Sequence, residues 1–197
     1  MVSKYKKVGY IDIPNYDGHV SMIPFDLETL VGLPDEFSGI VKEMLSGIKA
    51  KGEAYFTIHG ETLKKSQTLR RPGPHTDGSY DLSVMSWGNG GGGGWKVNDC
   101  TKISKKDHDR LYNSETGGII LASNYSSCIG WEGEFDNLPG HGGDCSHFGL
   151  DYTKAVVLQP NTVYYGNNHF IHESLPVADD IHRVLCRITL PEDHNYN

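Results

Sequence analysis

The chain has 197 residues and a formal net charge of −7 at pH 7. This length fits one domain, which can bury enough surface to fold without disulfides, so we expect a single domain over residues 1–197. The acidic balance argues against a protein that binds nucleic-acid duplexes, because such proteins normally present a basic surface.

Cysteine usage and apolar runs indicate the compartment. The four cysteines, Cys100, Cys128, Cys145 and Cys186, form no CxxC pair, which is typical of free thiols. The opening segment "MVSKYKKVGY" is charged and lacks the apolar stretch of a secretory signal. No apolar run approaches the roughly 18 residues of a membrane span. We therefore expect a cytoplasmic protein that does not contact membranes.

The first half of the chain predicts one helix followed by strands. Apolar residues recur at helical spacing over residues 35–51, and Gly52 is typical of a helix end. Strands are predicted at residues 53–60, 66–71 and 80–87. The glycine-rich stretch "GNGGGGGW" at 88–95 lacks the residue order of a phosphate-binding loop, which favours a hairpin tip or loop.

The second half of the chain predicts further strands. Residues 117–127 are typical of a buried strand, residues 154–167 of two strands around a Pro-Asn turn, and residues 182–190 of a final strand. With about eight strands, one helix and no βαβ alternation, the sequence predicts a mainly β fold. We expect a jelly-roll or cupin-like double-stranded β-helix, with a β core at about 53–190 and the N-terminal helix packed outside.

The segment "HGGDCSH" at 141–147 is rich in residues that can bind metals. Zinc sites usually place paired ligands at a tighter, repeated spacing, so this pattern does not predict a second metal. The whole glycine-rich stretch at 130–150 is expected to be a loop near the mouth of an active site.

A stronger metal signal is the segment "HTDG" at 75–78. On a strand, residues i and i+2 point to the same face, so His75 and Asp77 can converge on one ion. The third ligand is expected to be a distant histidine brought close by strand pairing, and "NNHFIHESLP" offers His169 and His172. Two histidines and one carboxylate with open positions opposite are typical of non-haem Fe(II) oxygenases.

The final strand adds a candidate anion site. Arg183, Leu185, Arg187 and Thr189 share one face by alternation, and the opposite face is apolar. Arginine binds carboxylates through its planar guanidinium fork, so this face can hold an anionic molecule. Arg70 and its neighbour at 71 lead into the "HTDG" turn, and one of them is a further candidate to face the pocket.

These motifs together resemble the Fe(II)/2-oxoglutarate-dependent dioxygenases. The resemblance covers about residues 53–190 and is carried by His75-Thr76-Asp77, a distant histidine and an arginine on the last strand. "HESLPV" is similar to the distal-histidine segment of prolyl-hydroxylase-type members, which favours His172 over His169. "HRVLCRIT" resembles the last core strand of taurine-dioxygenase-like enzymes.

The resemblance implies the following ligand set. Fe(II) would be held by His75, Asp77 and His172. The far carboxylate of the co-substrate 2-oxoglutarate would be held by Arg183 or, alternatively, by Arg187 together with Thr189.

The implied reaction consumes O₂ and 2-oxoglutarate, releases succinate and CO₂, and hydroxylates a small-molecule or peptide substrate. Asp77 favours hydroxylation, because related halogenases lack this carboxylate. If Arg187 is free to bind substrate, a small anionic or amino-acid-like molecule comes first among substrates, a peptide residue second and a nucleobase third. Two alternatives stay open: a cupin-type metalloenzyme that does not use 2-oxoglutarate, and a non-enzymatic jelly-roll binding protein.

Overall fold

The computed structural model describes residues 1–77, 117–140, 143–191 and 194–196, and within them the chain is mainly antiparallel β, as predicted. One α-helix, α1, spans Asp35–Met44. The strands are β1 (Val2–Ser3), β2 (Tyr5–Tyr10), β3 (Gly18–Asp26), β4 (Glu53–Leu63), β5 (Ile119–Ser123), β6 (Cys128–Trp131), β7 (Gly133–Glu134), β8 (Val156–Val157), β9 (Thr162–Gly166), β10 (Ile171–Ser174) and β11 (Ile181–Thr189).

The strands form one large sheet, one small sheet and a short pair. The large sheet has the order β2-β9-β5-β11-β4-β3, the small sheet has the order β10-β6-β8, and β1 pairs with β7. Because β2 and β3 belong to the large sheet, the β core begins well before residue 53. The final strand β11 lies at the centre of this sheet, between β4 and β5, so its side chains are enclosed by neighbours on both sides.

The helix α1 packs on the outer face of the large sheet, as predicted. Its apolar stripe is buried in one cluster with alternate residues of β4 and β11, including Phe56, Val184 and Ile188. The helix ends earlier than predicted, because Gly47 adopts a φ of 81° and turns the chain before Gly52 is reached.

The other face of the large sheet packs against the small sheet. Leu121 of β5 and Tyr164 of β9 share a buried cluster with Cys128 of β6 and with Phe170, which directly precedes β10. The arrangement is compatible with a β-sandwich, and side chains from β11 and β10 meet between its two layers.

One expectation is wrong, and two concern residues that the structure does not describe. The predicted strand at 66–71 is wrong: Ser66 has a φ of 70°, and a turn joins Gln67 to Lys64. The predicted strand at 80–87 and the glycine-rich loop at 88–95 lie outside the described residues. In the described ranges no helix is long and apolar enough to cross a membrane. The described thiols, Cys128, Cys145 and Cys186, are all free and buried.

Candidate metal centre

The two candidate histidine ligands are a directly opposed cross-strand pair. The backbone N–H of His75 donates to the carbonyl of His172 at 2.9 Å, and the N–H of His172 donates back to His75 at 2.9 Å. Opposed residues of an antiparallel pair carry their side chains on the same face, a few ångströms apart. The two imidazole ring centres are accordingly 4.6 Å apart.

Asp77 completes a three-residue group. It follows His75 by two positions, and the ligand atoms of His75, Asp77 and His172 all lie within 4.8 Å of one another. Among the described residues this is the one such group of His, Cys, Asp or Glu side chains. His169 is also buried but does not belong to it, so the structure brings together the three residues that the sequence favoured.

Hydrogen bonds to backbone carbonyls orient both imidazole rings. His75 Nδ1 lies 2.8 Å from the carbonyl oxygen of Gly73, and His172 Nδ1 lies 3.1 Å from that of Phe170. Because a carbonyl only accepts, each Nδ1 carries the proton and donates it. Each Nε2 therefore keeps its lone pair, and this is the tautomer that a metal-binding histidine requires.

The protonation states suit a cation as well. Burial and the neighbouring His172 lower the pKa of His75 to about 3. Burial also lowers the pKa of His172. For Asp77 burial acts upward, but Arg187 and the two imidazoles outweigh it and hold the pKa at about 2. At neutral pH the group therefore consists of two neutral imidazoles and one carboxylate, which is the form that binds a divalent ion.

A second segment supports the strand that carries His75. The N–H of Thr76 donates to the carbonyl of Gly143 at 2.9 Å, and the N–H of Cys145 donates to that of Pro74 at 2.9 Å. Residues 74–76 are thus held between β10 and residues 143–145, which explains how an isolated three-residue stretch keeps its register beside His172.

Local hydrogen bonds account for the described side chains of the "HGGDCSH" segment. The Cys145 thiol is buried and donates to Gly143, Asp144 accepts from Ser146, and the ring of His147 contacts the carbonyl of Leu138. These side chains stabilise the loop beside the metal centre and do not join the ligand group. His141 lies outside the described residues.

Arg187 is bound to the candidate ligand Asp77. Its Nη1 donates to both carboxylate oxygens, at 3.1 Å and 3.0 Å. Only 5% of the Arg187 side chain and 8% of the Asp77 side chain are exposed. In this position the guanidinium holds the carboxylate towards the two histidines and keeps it ionised.

Arg183 is even more deeply buried, with 1% exposure. Its Nη1 donates to the hydroxyl of Ser174 at 2.8 Å, and its Nε lies 3.4 Å from the hydroxyl of Ser123. Both partners are neutral, and no hydrogen bond or ion pair joins Arg183 to a carboxylate in the described part of the chain. Ser174 follows His172 by two positions on β10, so Arg183 contacts the strand that carries the candidate ligand His172.

Thr189 does not join this group. It is the last residue of β11, and its buried hydroxyl has no hydrogen-bond partner within the described ranges. Of the three residues predicted to hold the co-substrate, the two arginines have hydrogen bonds at the candidate site, whereas the Thr189 hydroxyl has none within the described ranges.

Two histidines at the site were missed by the sequence reasoning. His59 of β4 is paired with Leu185 on one side and with His19 of β3 on the other, so all three lie on the inner face. The rings of His19 and His59 stack with centres 4.4 Å apart. The alternation of "TIH" in the predicted strand at 53–60 was the available signal, because it puts Thr57 and His59 on one face.

Comparison with known proteins identified no relative of this chain. No known family matches the chain, and neither a curated protein nor a solved structure does so. What the centre can do therefore has to be argued from its residues.

Proposed function

We propose that this chain is an Fe(II)- and 2-oxoglutarate-dependent dioxygenase that hydroxylates a small molecule or a peptide residue. The observation that carries the proposal is the buried group of His75, Asp77 and His172, whose ligand atoms lie within 4.8 Å of one another. We also propose that the sandwich of antiparallel sheets around this group is a double-stranded β-helix.

The donor set fits a divalent iron. Two imidazole nitrogens and one carboxylate, all from one side, leave coordination positions for other molecules. Iron bound there would supply the one-electron and O₂ chemistry that protein side chains lack. The chain supplies the orientation: backbone carbonyls fix both imidazole rings, and Arg187 fixes the carboxylate of Asp77.

Arg183 supports the use of a dianionic co-substrate. A guanidinium that is 99% buried is normally paired with an acid, because an unpaired buried charge is costly to desolvate. The described partners of Arg183 are the hydroxyls of Ser174 and Ser123. We therefore assign the far carboxylate of 2-oxoglutarate to Arg183, with the Ser174 hydroxyl beside it, and not to Arg187, whose Nη1 is bound to Asp77.

The positions and partners of the two arginines support this assignment. Arg183 and Arg187 are four positions apart on β11, so they lie on the same face and about two strand repeats apart. Arg187 contacts the candidate ligand Asp77, whereas Arg183 contacts Ser174; this arrangement suits a molecule that reaches the metal with one end and Arg183 with the other.

The experiment is succinate formation from 2-oxoglutarate by the Fe(II)-loaded protein in air, with pools of amino acids, peptides and nucleosides. His172→Ala serves as the inactive variant, and calorimetry measures 2-oxoglutarate binding. Turnover that disappears in His172→Ala is the expected result. If neither turnover nor 2-oxoglutarate binding is found, the proposal is wrong, and a cupin-type metalloenzyme or a binding protein takes its place.

A further inference from the structure

Arg70 is a guanidinium beside the centre that the proposed reaction does not use. It is half-buried, and in the described part of the chain no hydrogen bond or ion pair is found for it. The adjacent Leu69 is buried with Leu63 and Val177, so the chain is fixed at this point and Arg70 is held close to the sheet.

Packing places Arg70 beside the inner face, because the buried residue before it belongs to a cluster against which Leu185, the partner of His59, packs. Burial lowers the pKa of Arg70, and the charge of Arg187 lowers it further. Arg70 is also among the groups that hold the pKa of Asp77 low. Arg187 is bonded to this carboxylate, whereas Arg70 has no hydrogen bond or ion pair within the described ranges.

The stacked imidazoles of His19 and His59 form a polar surface on the same face of the sheet. Burial and the His59 ring lower the pKa of His19, Arg70 and Arg187 lower it further, and Glu61 raises it, with a net lowering. At neutral pH His19 is therefore an uncharged ring that can donate one hydrogen bond. It is exposed, whereas His59 beneath it contacts Glu61 at 3.2 Å.

From this arrangement we infer that the substrate carries an anionic group, a carboxylate in the simplest case, which Arg70 binds with His19 as a second donor. The inference rests on the proposed function and names the substrate class of the same centre. Arg187 and Arg183 are already engaged, by Asp77 and by the proposed co-substrate, whereas Arg70 is partly open to solvent. Its planar fork matches the two oxygens of a carboxylate, and the imidazole above His59 supplies an N–H beside it.

The test uses the full chain loaded with Mn²⁺ and 2-oxoglutarate without O₂, so that binding is measured apart from turnover. The probes are small carboxylates, sulfonates and phosphate monoesters, among them the amino acids, each carboxylate paired with its uncharged amide. Calorimetry is expected to show that at least one anion binds and that its uncharged partner binds at least about tenfold more weakly.

Variants then test whether Arg70 causes the preference for anions over uncharged amides. Arg70→Gln is expected to weaken binding of the anion at least about tenfold and to leave binding of the amide unchanged. Arg70→Lys is expected to restore part of the lost affinity. Lys42→Gln, on the opposite side of the large sheet, removes the same charge and is expected to change nothing. Affinity for 2-oxoglutarate is expected to be equal in all four proteins.

Three results would overturn the inference while the proposed function stands: no anion binds, uncharged partners bind equally well, or Arg70→Gln keeps the preference. A fourth, loss of 2-oxoglutarate affinity in Arg70→Gln, would move Arg70 to the co-substrate and overturn it too. Failure of the wild type to bind 2-oxoglutarate would instead refute the proposed function itself.

Discussion

A single nitrogen of Arg187, Nη1, contacts both carboxylate oxygens of Asp77, and both side chains are almost fully buried. Removing one partner of such a pair leaves a buried charge without compensation, which typically costs about 3–5 kcal/mol. We predict that Arg187→Met lowers the free energy of unfolding of the metal-free protein by an amount of this order, measured by urea denaturation.

Metal should offset part of this loss. Because a divalent cation bound to Asp77 replaces the missing guanidinium as its partner, saturating Zn²⁺ is expected to stabilise Arg187→Met more than the wild type. A loss below about 1 kcal/mol in the metal-free variant would show that the ion pair contributes little and that Asp77 is held by other contacts.

The two buried histidines near β10 give a matched pair for metal binding. His172 belongs to the ligand group, whereas His169, three positions earlier, does not. Loss of an outer-shell partner typically weakens metal binding 10–100-fold, so His172→Ala, which removes a ligand, should lose more than about 100-fold in Mn²⁺ affinity by calorimetry. His169→Ala should keep the affinity, and the reverse pattern would refute the assignment.

The co-substrate assignment predicts a separate phenotype for Arg183. A charged hydrogen bond typically contributes about 1.5–3 kcal/mol, so Arg183→Gln should weaken 2-oxoglutarate binding at least about tenfold. The affinity for Mn²⁺ should stay unchanged. Both constants can be measured by calorimetry on the same samples. Unchanged 2-oxoglutarate affinity in Arg183→Gln, with a loss in the conservative variant Arg187→Lys, would give the role to Arg187.

How far the sequence could predict this site follows from which contacts are local. His75 and Asp77 are two positions apart, and strand alternation alone places them on one face. The same rule placed Arg183 and Arg187 together on β11, which the burial of both arginines bears out. These relationships need only the period of a strand, which is visible in a short window of sequence.

The remaining relationships depend on register between distant segments. Nothing local specifies that His75 lies opposite His172, and the choice of His172 over His169 came from a resemblance. The pairing of Arg187 with Asp77, and the place of residues 143–145 beside residues 74–76, likewise require the sheet to be assembled. A one-residue change of register would turn these side chains to the opposite face of the sheet and remove the contacts between them.

Gly143 is one position where that assembled register can be tested. It has a φ of 79°, and a Cβ atom there would lie 2.0 Å from the carbonyl oxygen of Thr76. Gly143→Ala must therefore displace residues 74–76, which carry His75. We predict a loss of Mn²⁺ affinity of about 10–100-fold, as for an outer-shell change, measured by calorimetry.

A matched control for this variant is Gly39→Ala in α1, where an added Cβ meets no atom within 4 Å. Gly39→Ala is expected to keep the metal affinity and to stabilise the helix slightly. If Gly143→Ala also kept full affinity, residues 143–145 would not be needed to hold the ligand strand.

The depressed pKa of His75 predicts how the metal-free protein responds to acid. The pKa is lowered by burial and by His172, from 6.5 to about 3, so between these values the unfolded chain binds more protons than the folded one. The stabilisation is therefore fully present above pH 6.5 and decreases as the pH falls towards 3. For His75 alone the loss at pH 5 is about 2 kcal/mol, and His172, whose pKa is also lowered, adds to it.

The measurement is urea denaturation at pH 7, 6 and 5 with a chelator present. His75→Gln removes one titrating group, so its free energy of unfolding should fall less steeply between pH 7 and 5 than that of the wild type. Equal slopes would mean that His75 is protonated as readily in the folded protein as in the unfolded chain. That result would contradict the buried environment beside His172 from which the low pKa follows.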